Sequence, residues 1–528
     1  MTRLSLVRSA LLSIVLPCAA TAQSSSLSSV ERRIEHGVDT LVMRRTTETL
    51  ASRDMEGRRP GTRGGERAEQ WIADRFRELG LEPGGDQKTF FQNVPLIQLA
   101  PRAETRLVAG AVTLRWHDDF TFLTQQAPDT AVLTAPVALV RTGGSYEQTP
   151  AHDVRGRIVV ARVAPGTGSA VFIARAFAER FGPAGALAVV VAGVQPPNRP
   201  FAQLVTNNSH PVIRRTDVPP PPAARCPTML LSDAAALRLY AALGLDSAVA
   251  SRPVARDAAP VWRDLDSTIT LVVRADVQHI VGRNVIGLLR GTDNGAQGTA
   301  VVLTAHHDAF GVNADGSVNA GAVDNAIAVG DLLAAARAIV GATARPRHTI
   351  IFMATTGEEF GWLGARYWVA HSTWPLARVA ADVNLEGDDP GAPLTGRKRF
   401  ISYNASGADL HEVFANVVHA AGHDTVADPM PAQHAEFHSD AAAFSEAGVP
   451  ASWIFMFPDT PADAMAAYVR TAQARIHTAA DSIVSGWSYA AVRDKAVIAA
   501  LLTWRLADSP NFPARVTPVL PGLMAPIP

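Results

Sequence analysis

Cysteine is almost absent from this chain: 528 residues contain two, Cys18 and Cys226. A disulfide-stapled scaffold is excluded, and if the first residues are removed only Cys226 remains, so no internal disulfide can form. Lysine is rarer than the cationic total suggests: Lys+Arg is 48, but the only lysines are Lys88, Lys398 and Lys495. With so many alanines, this arginine bias looks like genome base composition rather than a functional choice. Neither sign of charge dominates. Asp+Glu is 49 and the formal net charge is −1, so nothing electrostatic points to nucleic acid or an anionic membrane as partner. No apolar run is long enough to span a bilayer without charge or proline. What is present is apolar material, 47% of residues against 18% charged, which excludes a disordered chain. The length predicts two to four domains at roughly 100–200 residues each.

The first residues have the form of a targeting segment. Arg3 and Arg8 make a positive start, Ala10 to Leu16 an apolar middle, and Ala20-Thr21-Ala22 a small-residue cleavage pattern before Gln23. This predicts a signal peptide over 1–22 and an exported, periplasmic or extracellular bacterial protein. Export without disulfides fits an enzyme large enough to need no staples.

Residues 23–30 are Ser-rich and read as a lead-in. Two helical patterns follow, the second over Glu66–Leu79 and closed by Gly80. Between them lies the glycine- and charge-rich stretch Asp54-Met55-Glu56-Gly57-Arg58-Arg59-Pro60-Gly61-Thr62. From about Pro101 to residue 270 the pattern is short β-like runs broken by Pro and Gly: Thr105–Val108, Val132–Val140, Arg157–Val163 and Ala186–Val194. From Asn284 strands alternate with helices. Strands are predicted over Asn284–Leu289, Ala300–Thr304, His348–Ala354, Val379–Leu385 and Ala451–Phe455. Helices are predicted over Ala326–Val340, Gly364–Ala370 and Ala408–Ala421. Such alternation argues for an α/β sheet layered by helices.

The unusual polar residues sit where those strands end, which is where open α/β sheets build sites. Thr304-Ala305-His306-His307-Asp308 follows one strand, and Gly321-Ala322-Val323-Asp324-Asn325 opens a helix. Thr355-Thr356-Gly357-Glu358-Glu359 and Val383-Asn384-Leu385-Glu386 end two more strands, and Arg475-Ile476-His477-Thr478-Ala479-Ala480-Asp481 lies in a late loop. Imidazole nitrogen and carboxylate oxygen are what Zn²⁺ accepts besides thiolate. A carboxylate has two oxygens and can bridge two ions. Of two adjacent glutamates, one can bind metal while the other serves as general base. His306-x-Asp308 supplies a ligand and a carboxylate to orient it. Any one of these segments is usually a solvated surface feature, and Asp324 alone reads equally as a helix N-cap. Four of them at element ends, with the fifth in a loop, together point to a metal site.

Together these segments resemble the co-catalytic di-zinc aminopeptidases, a family that also includes glutamate carboxypeptidase, the transferrin receptor and glutaminyl cyclase. The resemblance extends to Asp54-Met55-Glu56-Gly57-Arg58 with Gly61-Thr62, and to Asp153-Val154-Arg155-Gly156-Arg157-Ile158-Val159-Val160, which is similar to the family's protease-associated insert. It implies an α/β fold: a zinc-exopeptidase-like mixed twisted sheet flanked by helices, interrupted by a β-rich protease-associated domain. The implied boundaries are 23–105 for the first part of the peptidase domain, 106–272 for the insert, 273–510 for the part carrying the metal site, and 511–528 for a tail. The resemblance implies two zinc ions held by His306, Asp324, Glu359, Glu386 and His477. Asp324 would bridge, with Glu386 partnering His306 on one side and Glu359 partnering His477 on the other. It further implies Glu358 as general base, Asp308 as the group holding the His306 imidazole, and a peptide substrate.

Three departures stand out. Glu386 occupies a position where the family usually has Asp, so Asp388 and Asp389 are alternatives. The tyrosine that usually polarises the substrate carbonyl is missing: Ile476 and Glu436 stand there, leaving His434, His438 and Tyr468 as candidates. In Ser439-Asp440-Ala441, alanine replaces the family's histidine. The expected activity is removal of N-terminal residues from peptides. The alternatives on the same core are a carboxypeptidase or dipeptidase, glutaminyl cyclisation, which the retained His306 disfavours, and a binding protein on an inactive peptidase fold. That last reading needs lost ligand positions, and all five are filled.

Overall fold

The computed structural model describes residues 26–517 apart from 124–129, 144–151, 164–169, 194–200, 209, 220–225, 253, 256–257, 294–297, 314, 392–393, 404–407, 430–434 and 436–437. The expected signal peptide, His434 and Glu436 lie outside the described residues.

The central structure is a mixed, ten-stranded sheet. Four inner strands, Ala451–Pro458, Val379–Leu385, Ala300–His306 and Thr349–Thr355, run parallel in that spatial order. They are short runs rich in Val, Ile, Ala and Thr, and the last three are buried at every position, as strands covered on both faces must be. On one face lie the helices Ile327–Gly341, Thr40–Leu50 and Tyr489–Asp508. The other face carries Leu363–Ala370 and Ala441–Glu446, whose Trp368 and Phe444 rings stand 5.6 Å apart. Ile327–Gly341 is built from strong helix formers and is apolar nearly all round, which is why it is buried all round. Its polar exceptions are Asp331, met by Lys495 of Tyr489–Asp508, and the exposed Arg337.

The parallel register matters most for function. His306 pairs with Thr355, and Ala305 with both Ala354 and Leu385, so three strands end flush. The loops that follow carry His307-Asp308, Glu358-Glu359 and Glu386, all at one edge of the sheet.

A second sheet of eight strands is built within residues 106–273. It has its own buried clusters and is accompanied by the helices Ala170–Phe181 and Asp233–Ala242, so this region is α/β in detail. The two sheets are joined by the ribbon of Phe91–Pro101 against Ala275–Leu289. One strand of the intervening segment, Val212–Arg215, leaves the second sheet and extends the first, pairing with Phe91–Pro101. The strand expected from Asn284 begins at Ala275 instead; residues 276–279 face solvent, so its first half is not a buried apolar run. No helix among the described residues is long and apolar enough to cross a membrane.

Candidate metal centre

Seven side chains named from sequence converge at the flush strand ends. His306 Nε2 lies 3.1 Å from Asp324 Oδ1 and 3.2 Å from Glu386 Oε2. His477 Nε2 lies 3.0 Å from Asp324 Oδ2 and 3.1 Å from Glu359 Oε2. The result is two acid–imidazole clusters, His306/Asp324/Glu386 and Asp324/Glu359/His477, each with ligand atoms within 4.8 Å of one another. Asp324 belongs to both and offers one oxygen to each.

Each residue reaches the site for a local reason. The turn Ala322–Ala326 precedes helix Ile327–Gly341, and there Asp324 has a non-helical backbone and makes no capping hydrogen bond. Its carboxylate is free to face the histidines because the chain is held from behind: Val323 N and Asp324 N both donate to the Asp481 carboxylate, at 2.8 and 2.9 Å. His477 has a left-handed backbone, φ 60, sparsely populated for a residue with a side chain. It is held there by its own loop, in which Thr478 Oγ1 donates to Arg475 O and Arg475 pairs with Asp389 at 2.7 Å. Glu386 is fixed through its carbonyl, which accepts from the buried Lys495 ammonium; that ammonium also meets Asp388 at 3.0 Å and Asp331 at 3.3 Å. Asp388 and Asp389 are thus each committed to a cation of the protein, whereas Glu386 faces His306.

Asp308 differs in detail from the expected carboxylate–imidazole pair. His306 Nδ1 is 3.2 Å from the Asp308 main-chain carbonyl and 3.6 Å from its carboxylate, beyond hydrogen-bond reach. The carboxylate instead accepts from Glu358 N at 3.1 Å, fixing the turn that carries both glutamates. Glu358 belongs to neither cluster; its Oε2 lies 3.7 Å from His306 Nε2. His307 points away, its Nε2 3.1 Å from Arg283 O. Tyr468 packs its ring near Phe455, beside Asp388 and Asp389 rather than at the clusters. His438 is exposed.

Buried carboxyls outnumber imidazoles at the site, and this sets its electrostatics. Burial pushes the Glu358 carboxyl well above the usual carboxylate range; His306 opposes this, while Glu386, Glu359 and Asp440 add to it. Glu359 is raised to about 7, by burial and then by Asp324. Both imidazoles rise well above 6.5: burial opposes, but Glu386 and Glu358 outweigh it at His306, as Glu359 and Asp324 do at His477. His306 Nε2 and Glu386 Oε1 are buried without a hydrogen-bond partner, although carboxylate oxygens surround the nitrogen. Close approach without hydrogen-bond alignment, from a nitrogen-and-oxygen donor set, fits a divalent transition metal such as zinc.

The intervening segment reaches this edge. Arg59 Nη2 donates to Pro211 O at 2.5 Å, its Nη1 donates to Phe310 O at 3.2 Å, and its guanidinium lies over Phe360. The Phe310 ring stands 5.0 Å from both His210 and His477. Burial, then the charges of Arg59 and His477, lower His210 to about 4, so it is neutral.

Sequence reasoning assigned no role to Arg58, Asp481 or Lys495. Arg58 and Asp481 lie in segments singled out above for other reasons, and Lys495 directly precedes the apolar run Ala496–Leu502.

Two acid–imidazole clusters at the strand ends of an α/β sheet could each hold a metal ion. Residues 284–502 match the model of peptidase family M28. The fold agrees with solved structures across nearly the whole chain. An aminopeptidase from Aneurinibacillus sp. strain AM-1 is 17% identical with a TM-score of 0.55, covering 93% of this chain and 98% of that one. A zinc aminopeptidase from Bacillus subtilis is 18% identical with a TM-score of 0.50, covering 88% and 94%. A peptidase M28 precursor from Shewanella amazonensis SB2B is 15% identical with a TM-score of 0.50, covering 93% and 98%. No curated protein sequence matches the chain.

Proposed function

We propose that this protein is an exported zinc aminopeptidase that removes N-terminal residues from peptides. The observation that carries the reading is the sharing of Asp324 between two clusters, with Glu358 beside them and outside both. His306 and Glu386 would hold one zinc, His477 and Glu359 the other, and Asp324 both. When bound, zinc supplies Lewis acidity toward the substrate carbonyl and the attacking water, and a template for the free amine. Glu358 takes a proton from the water as its oxygen adds to the scissile carbonyl carbon. The same carboxyl then gives the proton to the leaving amine nitrogen as the C–N bond breaks. Asp308 keeps Glu358 in place by accepting its backbone N–H. Export rests on the N-terminal pattern Arg3 to Ala22. The second sheet would be a protease-associated domain, and its neighbour His210 would border the substrate's approach. A panel of aminoacyl-nitroanilides beside their N-acetylated forms tests the reading. Hydrolysis of the free-amine compounds alone is expected; no hydrolysis of either form, with cleavage of an N-acetylated dipeptide bearing a free carboxylate, would move the activity to a carboxypeptidase.

Two further expectations follow from the charges. In the metal-free protein the raised imidazole values stabilise the fold below the unfolded value near ~6.5, and that contribution is lost as pH rises through the folded value. The raised carboxyls act in the same direction, since each must be ionised against burial as pH rises. Metal needs neutral imidazole, so its affinity grows over the same range. The gap in melting temperature between zinc-loaded and metal-free protein should therefore widen between pH about 6 and about 8. A gap independent of pH in calorimetry would contradict this.

Glu386→Asp should retain weakened binding of the second zinc, whereas Glu386→Gln should lose it. Asp keeps the charge and shortens the reach, while Gln keeps the length and is a poorer ligand. Metal titration checks it. Full binding by Glu386→Gln, with loss in Asp388→Asn or Asp389→Asn, would transfer the role to that aspartate.

A further inference from the structure

Arg58 is fully buried, yet among the described residues it forms no salt bridge. Its guanidinium donates to four main-chain carbonyls: Nε to His307 O at 2.5 Å, Nη1 to Leu50 O at 2.7 Å and Ala320 O at 2.6 Å, and Nη2 to Gly321 O at 2.9 Å. Four of the five N–H groups of an arginine are thereby used. Two of the three segments they reach carry proposed ligands: His307 follows His306, and Ala320-Gly321 leads into Asp324. The third, Leu50, ends the helix Thr40–Leu50, a fixed part of the core.

The local chain is shaped to deliver this side chain. Gly57 and Arg58 both have left-handed backbone, φ 66 and 50. A Cβ at Gly57 would meet Asn319 O at 2.5 Å, and one at Gly321 would meet Arg58 Nη2 at 2.7 Å. Glycine at both places lets the arginine loop close directly onto the turn before Asp324.

We propose that Arg58 is a positioning residue for the metal pair: its planar fork ties the His306 and Asp324 segments to the core and fixes the spacing of the two ligands that share one ion. The inference rests on the zinc reading above. Geometry and charge predict opposite results when the arginine is removed. Its charge faces Asp308, Asp324, Glu359 and Asp481, and would by itself repel a second cation, so losing the charge alone would strengthen metal binding. Losing the fork would weaken it, and the fork is the part the four carbonyls hold.

The test is zinc affinity by competition with a chromophoric chelator, on full-length wild type, Arg58→Lys, Arg58→Met and Arg58→Ala. Arg505→Met serves as a stability control, because Arg505 pairs with Glu31 away from the site. Both Arg58→Lys, which keeps charge without the fork, and Arg58→Met, which keeps neither, are expected to bind zinc about 10–100-fold more weakly. Guanidinium at low concentration should partly restore Arg58→Ala, and methylammonium should not. Arg505→Met should melt earlier with unchanged affinity. Wild-type affinity in Arg58→Lys, or tighter binding in Arg58→Met, overturns the proposal, as does failure of every Arg58 variant to fold with zinc in excess. A wild type that binds no zinc overturns the metal reading itself, and the two failures are thereby distinct.

Discussion

Glu358→Gln should keep its metal and turn over substrate roughly 10²–10⁴-fold more slowly, the usual loss when a positioned general base is removed. The amide has the same shape, so the backbone N–H to Asp308 and the packing of the turn survive. What disappears is the capacity to accept a proton. Because Glu358 is in neither ligand cluster, metal content should be unchanged and KM should move little. Steady-state kinetics and elemental analysis on one sample check this. Near-normal kcat with metal bound would remove Glu358 from the mechanism.

Asp324→Ala should be the most damaging ligand change. The other four residues each face one cluster, but both clusters lose a carboxylate oxygen when Asp324 goes. Its removal also leaves His306 and His477 without their shared partner. Metal content after desalting is expected to fall from two per chain toward none, and activity to background. Retention of two ions per chain by Asp324→Ala would show that the carboxylate is not shared.

Much of the ten-stranded sheet was legible because its inner strands are buried on both faces. Ala300–His306 is a mostly apolar run ending in His306, and Val379–Leu385, despite Asp382 and Asn384 within it, leads directly into Glu386; both transitions are visible in sequence. The flush register that gathers those ends is a property of pairing between distant segments, which no local pattern records. Helix Tyr489–Asp508 escaped notice because it is buried over most of its surface and shows no amphipathic period. The strand Phe91–Pro101 was hidden by its prolines and half-exposed positions. At the site, the residues with ligand chemistry could be named from type and spacing. Their supports could not: Arg58 acts on carbonyls contributed by residues 50, 307, 320 and 321, and Asp481 on two backbone N–H groups. Main-chain acceptors and donors have no sequence signature. Asp308 shows the same limit, since its main-chain oxygen, not its carboxylate, contacts His306.

Hydrolysis at a free N-terminus should depend on the paired metal site. Zinc titration of metal-free protein, with aminoacyl-nitroanilide hydrolysis followed in the same cuvette, tests it most directly. Activity should be absent at the start, rise with added zinc and level off at two equivalents per chain, one for each cluster. Full hydrolysis by the metal-free protein, or zinc uptake to two equivalents with no hydrolysis of any free-amine substrate, would contradict it.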